Sequence, residues 1–134
     1  MKIYIFGNPL IKEDSLPIKI IPELKKAFPD ILFEVVDPNE NFPPANEKDL
    51  IIIDTVRGLK KPKIFGLNDL QEIQKSPNSP HDYDLGLHLL ILKKLNKIKS
   101  VKILGIPIKI REIKAIKWIK EVLITQNREF KIIF

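Results

Sequence analysis

The chain has 134 residues, 44% of them hydrophobic, with 23 lysines and arginines against 17 acids for a net charge of +6, and no cysteine. One core is what this length can bury, so a single domain over 1–134 is expected; the missing cysteine excludes a disulfide framework, a thiolate metal site and a cysteine nucleophile. The charge is nearly all lysine, spread through every segment with few aromatics among it, which argues against nucleic acid as a partner. No apolar stretch approaches the roughly 20 residues that a bilayer span requires, and the opening run lacks the regions of a signal peptide, so a cytoplasmic protein without membrane contact is expected. Abundant lysine and isoleucine with few glutamines suit a thermophile.

Lys2 to Phe6 reads as a first, buried strand that leaves its sheet through Gly7-Asn8-Pro9, with the acids Glu13 and Asp14 standing where a helix begins. Ser15 to Phe28 reads as that helix, capped by Asp14 or Ser15, with Ile18, Ile21, Leu24 and Phe28 at helical spacing; Pro22 should kink it or delay its start. Ile31 to Val36 is a second strand between Pro29-Asp30 and Asp37-Pro38. Asn39 to Lys48 is polar and proline-rich, a loop with at most a turn of helix. Asp49 to Val56 is a third strand whose unbroken Leu50-Ile51-Ile52-Ile53 implies burial on both faces, as in a parallel sheet, and it places Asp54 at the strand's mouth on the same edge as Gly7 and Asn8.

Between Arg57 and Pro80, residues 62–67 suit a short edge strand and 68–75 a turn of helix. Ser79-Pro80-His81-Asp82 reads as a capping box opening a second helix that runs to about Ile98 and, being apolar nearly all round, should be heavily buried. Val101 to Ile108 is another strand. The last helix starts near Arg111 with Ile113, Ile116, Ile119, Val122 and Leu123 on one stripe, and residues 130–134 are its frayed end or a final short strand.

Strands alternating with helices predict a three-layer α/β/α domain on a mainly parallel, mixed central sheet. Ligands in such folds collect outside the carboxyl ends of the strands. Asp14, Asp54 and His81 each sit just beyond a strand end or at a helix start, and two carboxylates with one imidazole suit a first-row metal ion that must also accept water or substrate. A helix start disfavours imidazolium, so His81 should be neutral there. Each residue also has a plain structural reading: Asp14 as a helix cap, Asp54 bonding a turn amide, His81 as a surface residue. His88, two turns after His81, reads as packing or partly exposed. The residues contain no Ser-His-Asp elbow, no glycine loop for phosphate and no histidine pair at zinc spacing.

Gly7-Asn8-Pro9-Leu10 with Glu13-Asp14, then Ile51-Ile52-Ile53-Asp54, then Ser79-Pro80-His81 with Leu85 following, resemble the three sequence blocks of the hydrogenase maturation proteases; Ile103-Leu104-Gly105-Ile106 resembles that family's next strand. The resemblance covers roughly residues 1 to 110. It implies a phosphorylase/hydrolase-like version of the α/β fold and an endopeptidase, probing nickel already bound in the precursor of a nickel-iron hydrogenase large subunit and removing the precursor's C-terminal peptide. By position it makes Asp14, Asp54 and His81 both the metal-contacting and the catalytic residues, with nickel supplied by the precursor, which carries it on its own cysteines. A monomer is expected. The family's acid pair is usually followed by Gly-x-Gly, where this chain has Ser15-Leu16-Pro17. Two other readings therefore stay open: an inactive paralogue that binds during hydrogenase assembly, and a small-ligand-binding α/β module.

Overall fold

The computed structural model describes residues 1–7, 10, 15–36, 42–44, 46–69 and 85–133, with the side chains of the last stretch described from 87 to 125. Strands β1 (Lys2–Phe6), β2 (Leu32–Val36), β3 (Asp49–Thr55), β4 (Lys63–Phe65) and β5 (Ser100–Ile106) form one sheet in the order β2-β1-β3-β5-β4. The first, second, third and fifth run parallel, and β4 closes one edge antiparallel to β5. The predicted edge strand around residues 62–67 is thus β4, short and preceded by Pro62, as an edge permits.

The apolar runs are continuous because both faces of the central strands are covered. Side chains alternate across a strand, so Tyr4, Phe6, Leu50, Ile52, Val101 and Ile103 build a core on one side, while Ile3, Ile5, Ile53, Leu104 and Ile106 build a second core on the other. Helix α3 (Leu85–Lys94) covers the first side with Leu89 and Leu92. Helices α1 (Leu16–Lys19), α2 (Ile21–Ala27) and α4 (Glu112–Ile133) cover the second with Leu16, Ile20, Leu24, Ala115, Ile119 and Leu123. These are the three predicted layers, and each fully buried Ile or Leu among them contributes about 1.5–3 kcal/mol.

The structure departs from the sequence reading at several places, each with a local cause. The helix expected over 15–28 is two helices broken at Ile20, and Pro22 falls in the first turn of α2, where its missing N–H is not needed. The Ser15 side chain makes no capping hydrogen bond; its carbonyl instead accepts from the amides of Ile18 and Lys19, both at 3.1 Å. Asp14, the other candidate cap, lies outside the described residues, as do Ser79 to Asp82. The second long helix stops at Lys94 rather than Ile98. Asn96 takes the left-handed conformation with φ 56°, its amide bonds the Lys93 carbonyl at 3.0 Å and the Lys97 amide bonds the Leu92 carbonyl at 2.9 Å, which is a Schellman ending. Nor is this helix buried all round, since Leu87 and Ile91 face outward, as does Leu95 just past its end.

In α4 the buried line is Ala115, Ile119 and Leu123, with Ile116 and Val122 beside it. Ile113, expected on that stripe, is 79% exposed because it lies at the helix start, off the line that meets the sheet. The helix continues to Ile133, which excludes the alternative of a strand at the end. Strand β5 ends at Ile106 rather than Ile108, with Pro107 next, which cannot donate to the ladder. Between β2 and β3, residues 42–44 and 46–48 carry no helix. Phe42 does a helix's covering work there: it is buried and meets Tyr4 and Phe6 edge-on, at 5.0 and 5.2 Å between ring centroids.

Candidate functional site

The carboxyl edge of the sheet is set by the register of its middle strands. Ile5 of β1 pairs with Ile53 of β3, so Gly7 and Asp54 reach the same edge, as the sequence suggested. Asn8 lies outside the described residues. Asp54 is the penultimate residue of β3, half-buried, and shares its face with Leu50, Ile52 and Val56. It therefore belongs to the side covered by α3. A carboxylate at this place has the hydrocarbon of Leu50, Ile52 and Val56 on its own face of the strand and is itself only partly withdrawn from water.

The rung through Asp54 continues to Gly105 on β5 and from Gly105 to Lys63 on β4. The glycine is required there. A Cβ at Gly105 would lie 2.7 Å from Phe65 Cε2, 3.1 Å from Val56 Cγ2 and 3.2 Å from Leu59 Cδ1, so Phe65, Val56 and Leu59 close over the space a side chain would fill. The backbone of Lys63 lies two strand spacings, roughly 10 Å, along the sheet from that of Asp54, and its Nζ sits 5.1 Å from the centroid of the Phe65 ring. Neither Gly105 nor Lys63 stood out as a site residue in the sequence, because their nearness to Asp54 comes from pairings 51 and 42 positions away in the chain. The turn after β3 uses Gly58 at φ +84°, a conformation that side-chain-bearing residues resist.

Two helices begin near this edge. Helix α1 starts directly after Ser15, which is 3% exposed, and packs against β1 and β3. Helix α3 ends beside the amino end of β3, where the Lys99 and Ser100 amides bond the Lys48 carbonyl at 2.7 and 3.1 Å; its Leu85 end consequently points toward the carboxyl edge. In the first turns of α3, His88 Nε2 lies 2.9 Å from the Phe42 carbonyl. A carbonyl only accepts, so Nε2 carries the proton and donates. This bond ties the helix to the loop that covers β1, which makes His88 a packing residue, as its leucine-rich surroundings implied.

Of the three predicted site residues, Asp54 is where the sequence placed it. Asp14 and His81 lie outside the described residues, one position before Ser15 and four before Leu85. Among the described residues, no three histidines or carboxylates are grouped so as to hold a metal ion, and no helix is long and apolar enough to cross a membrane.

No family model matches the chain, and no curated protein is matched. Solved structures are matched over nearly its whole length. The hydrogenase maturating endopeptidase HybD from E. coli is 20% identical, with 94% of this chain and 89% of that chain covered and a TM-score of 0.60. An endopeptidase from Escherichia coli solved in solution is 18% identical, with 94% and 89% covered and a TM-score of 0.63. A hydrogenase 3 maturation protease is 21% identical, with 90% and 87% covered and a TM-score of 0.56. The fold that the sequence blocks implied is therefore the fold observed: this chain has the α/β architecture of the hydrogenase maturation endopeptidases.

Proposed function

We propose that the protein is an endopeptidase of hydrogenase maturation, which recognises nickel in the precursor of a nickel-iron hydrogenase large subunit and removes the precursor's C-terminal peptide. The observation that carries the reading is the position of Asp54, half-buried at the mouth of the central strand β3 and facing the α3 side of the sheet, within a fold shared with proteins of that named activity. Asp14 and His81 complete the set by sequence position, each in the segment that leads into a helix beginning near the same edge. The nickel is part of the substrate, held by the precursor's thiolates, which suits a chain with no cysteine of its own.

In the reaction a water adds its hydroxyl to the scissile carbonyl and a proton to the departing amine, breaking one C–N bond. Carboxylates and a neutral imidazole can orient the nickel and accept the water's proton. The protease acts as a cytoplasmic monomer on this protein partner, with no role for nucleic acid or membrane, and the lysine-rich composition suits a thermophile.

Intact mass of a nickel-loaded precursor incubated with the purified chain tests this. Loss of a C-terminal peptide with nickel present, but not with metal-free precursor, Asp54→Asn or His81→Ala, is the expected result. An unchanged mass, with a known maturation protease cleaving the same precursor, would refute it. The buried Ser15 at the start of α1, where the resembling family has Gly-x-Gly, favours a second reading: a paralogue that binds the precursor without cutting it. Binding with no mass change would select that reading.

A further inference from the structure

Leu87 and Ile91 on α3 and Leu95 directly after it, whose amide still bonds the Ile91 carbonyl, follow at i, i+4 and i+8 and so lie along one line. They are 48%, 47% and 59% exposed, while Leu89 and Leu92 hold the opposite side of the helix to the sheet. The other large exposed side chains are arranged differently: Ile113 and Ile124 stand eleven positions apart on α4, Ile64 is single on β4, Leu32 and Val35 point to opposite faces of β2, and Met1 and Leu10 lie outside the helices and strands. Single exposed apolar residues need no explanation, but an ordered line of three does. Its charge is equally one-sided. Residues 85–99, which are α3 and the turn that follows it, contain no acid and four lysines, Lys93 and Lys94 on the helix and Lys97 and Lys99 beyond it, and all four lysines are exposed.

We propose that this outer face of α3 is the docking surface for the precursor, which meets it with an apolar helix face fringed by carboxylates; the inference rests on the function proposed above. The apolar line gives the partner anchors spaced as a helix-in-groove contact uses them. Lysines with no acid among them call for acidic side chains opposite and would repel a basic partner. A second copy of this chain fits poorly, because each copy carries a net charge of +6 and two such lysine-fringed faces would repel one another. The position is also apt. Because α3 runs from the carboxyl edge toward the amino end of β3, a body held along it leaves its tail free to cross the edge where Asp54 stands.

The test uses the full chain with a nickel-loaded large-subunit precursor as probe, measuring Kd, KM and kcat for tail removal. Leu87→Gln with Ile91→Gln keeps good helix formers in place and should raise Kd and KM about tenfold or more while leaving kcat within about twofold. Lys93→Glu with Lys94→Glu should weaken binding more at low salt than at high salt. Leu95→Gln provides an independent variant should the first fail to fold. If the wild type cleaves and the variants match its KM, the docking surface is refuted and the protease reading stands. A wild type that neither binds nor cleaves refutes both. A wild-type dimer that Leu87→Gln with Ile91→Gln turns into a monomer would assign the face to a second copy and overturn the proposal.

Discussion

Gly105→Ala is the substitution whose consequence can be worked most directly, and it acts on the rung that carries Asp54. The new Cβ would meet Phe65 Cε2 at 2.7 Å, Val56 Cγ2 at 3.1 Å and Leu59 Cδ1 at 3.2 Å, all inside the roughly 3.5–4.0 Å at which carbon atoms attract. Phe65 is 2% exposed and Val56 8%, so neither can swing into solvent, and overpacking of this kind costs about 1–3 kcal/mol. Removing the glycine's freedom in the unfolded chain returns about 0.4–1 kcal/mol, for a net loss of about 1.3 kcal/mol at mid-range and at most about 2.6 kcal/mol. With an unfolding entropy of about 0.28 kcal/mol/K for a chain of this length, the melting temperature should fall by about 5 °C at mid-range and by at most about 9 °C. Phe65→Leu tests the cause. Trimming the ring destabilises the wild type but should be much less harmful in the Gly105→Ala background, giving a coupling of about 1 kcal/mol or more in a double-mutant cycle. Scanning calorimetry or urea denaturation of the four proteins reads all of this. A melting temperature equal to or above that of the wild type, or an equal effect of Phe65→Leu in both backgrounds, would refute the packing argument.

Three further outcomes follow from the same structure. The Tyr4 hydroxyl is buried with no hydrogen-bond partner among the described residues, so Tyr4→Phe should leave stability unchanged or raise it by up to about 1 kcal/mol in urea denaturation. The hydrogen bond from Lys2 to Glu34, at 2.7 Å, holds the Lys2 ammonium above its ordinary value of 10.5; a raised folded-state value contributes stability that is fully present below pH 10.5 and lost as pH rises through it. Lys2→Met should accordingly be less stable than the wild type near neutral pH, with the gap narrowing above pH 10.5, and parallel curves across that range would count against the ion pair. Ile119→Ala, which empties a fully buried position of α4, should cost about 2–5 kcal/mol, whereas Ile113→Ala, at a position 79% exposed, should stay within about 0.5 kcal/mol; thermal melts of the two separate the buried line from the predicted stripe.

The identity and order of the elements could be read from the chain because they depend on local patterns. The unbroken Leu50-Ile51-Ile52-Ile53 could be satisfied only by a strand covered on both faces, and β3 has β1 and β5 as parallel neighbours. The same run necessarily delivered Asp54 to the carboxyl edge. Pro22 announced the break that appears at Ile20, since a residue without an N–H cannot sit in the middle of a helix at no cost. What failed was judgement of sidedness and ending. The stretch around Leu87 to Leu95 reads as buried all round because leucine content says nothing about how many neighbours a helix has, and α3 has the sheet on one side alone. Its end at Lys94 was hidden because Asn96 serves as a left-handed terminus only once the Leu92 and Lys93 carbonyls are positioned to accept from the residues beyond.

Composition, periodicity and the three sequence blocks were sufficient for the layers of the fold and for the strand mouth where function is to be sought, because burial and turn chemistry act over a few residues. The strand order, the Asp54–Gly105–Lys63 rung, the seat of Phe42 on Tyr4 and Phe6, and the bond from His88 to the Phe42 carbonyl join residues far apart in sequence, 36 or more positions for each of the side-chain and rung contacts. Such contacts depend on which surfaces remain unburied after the local elements have formed, and that is a property of the assembled chain alone.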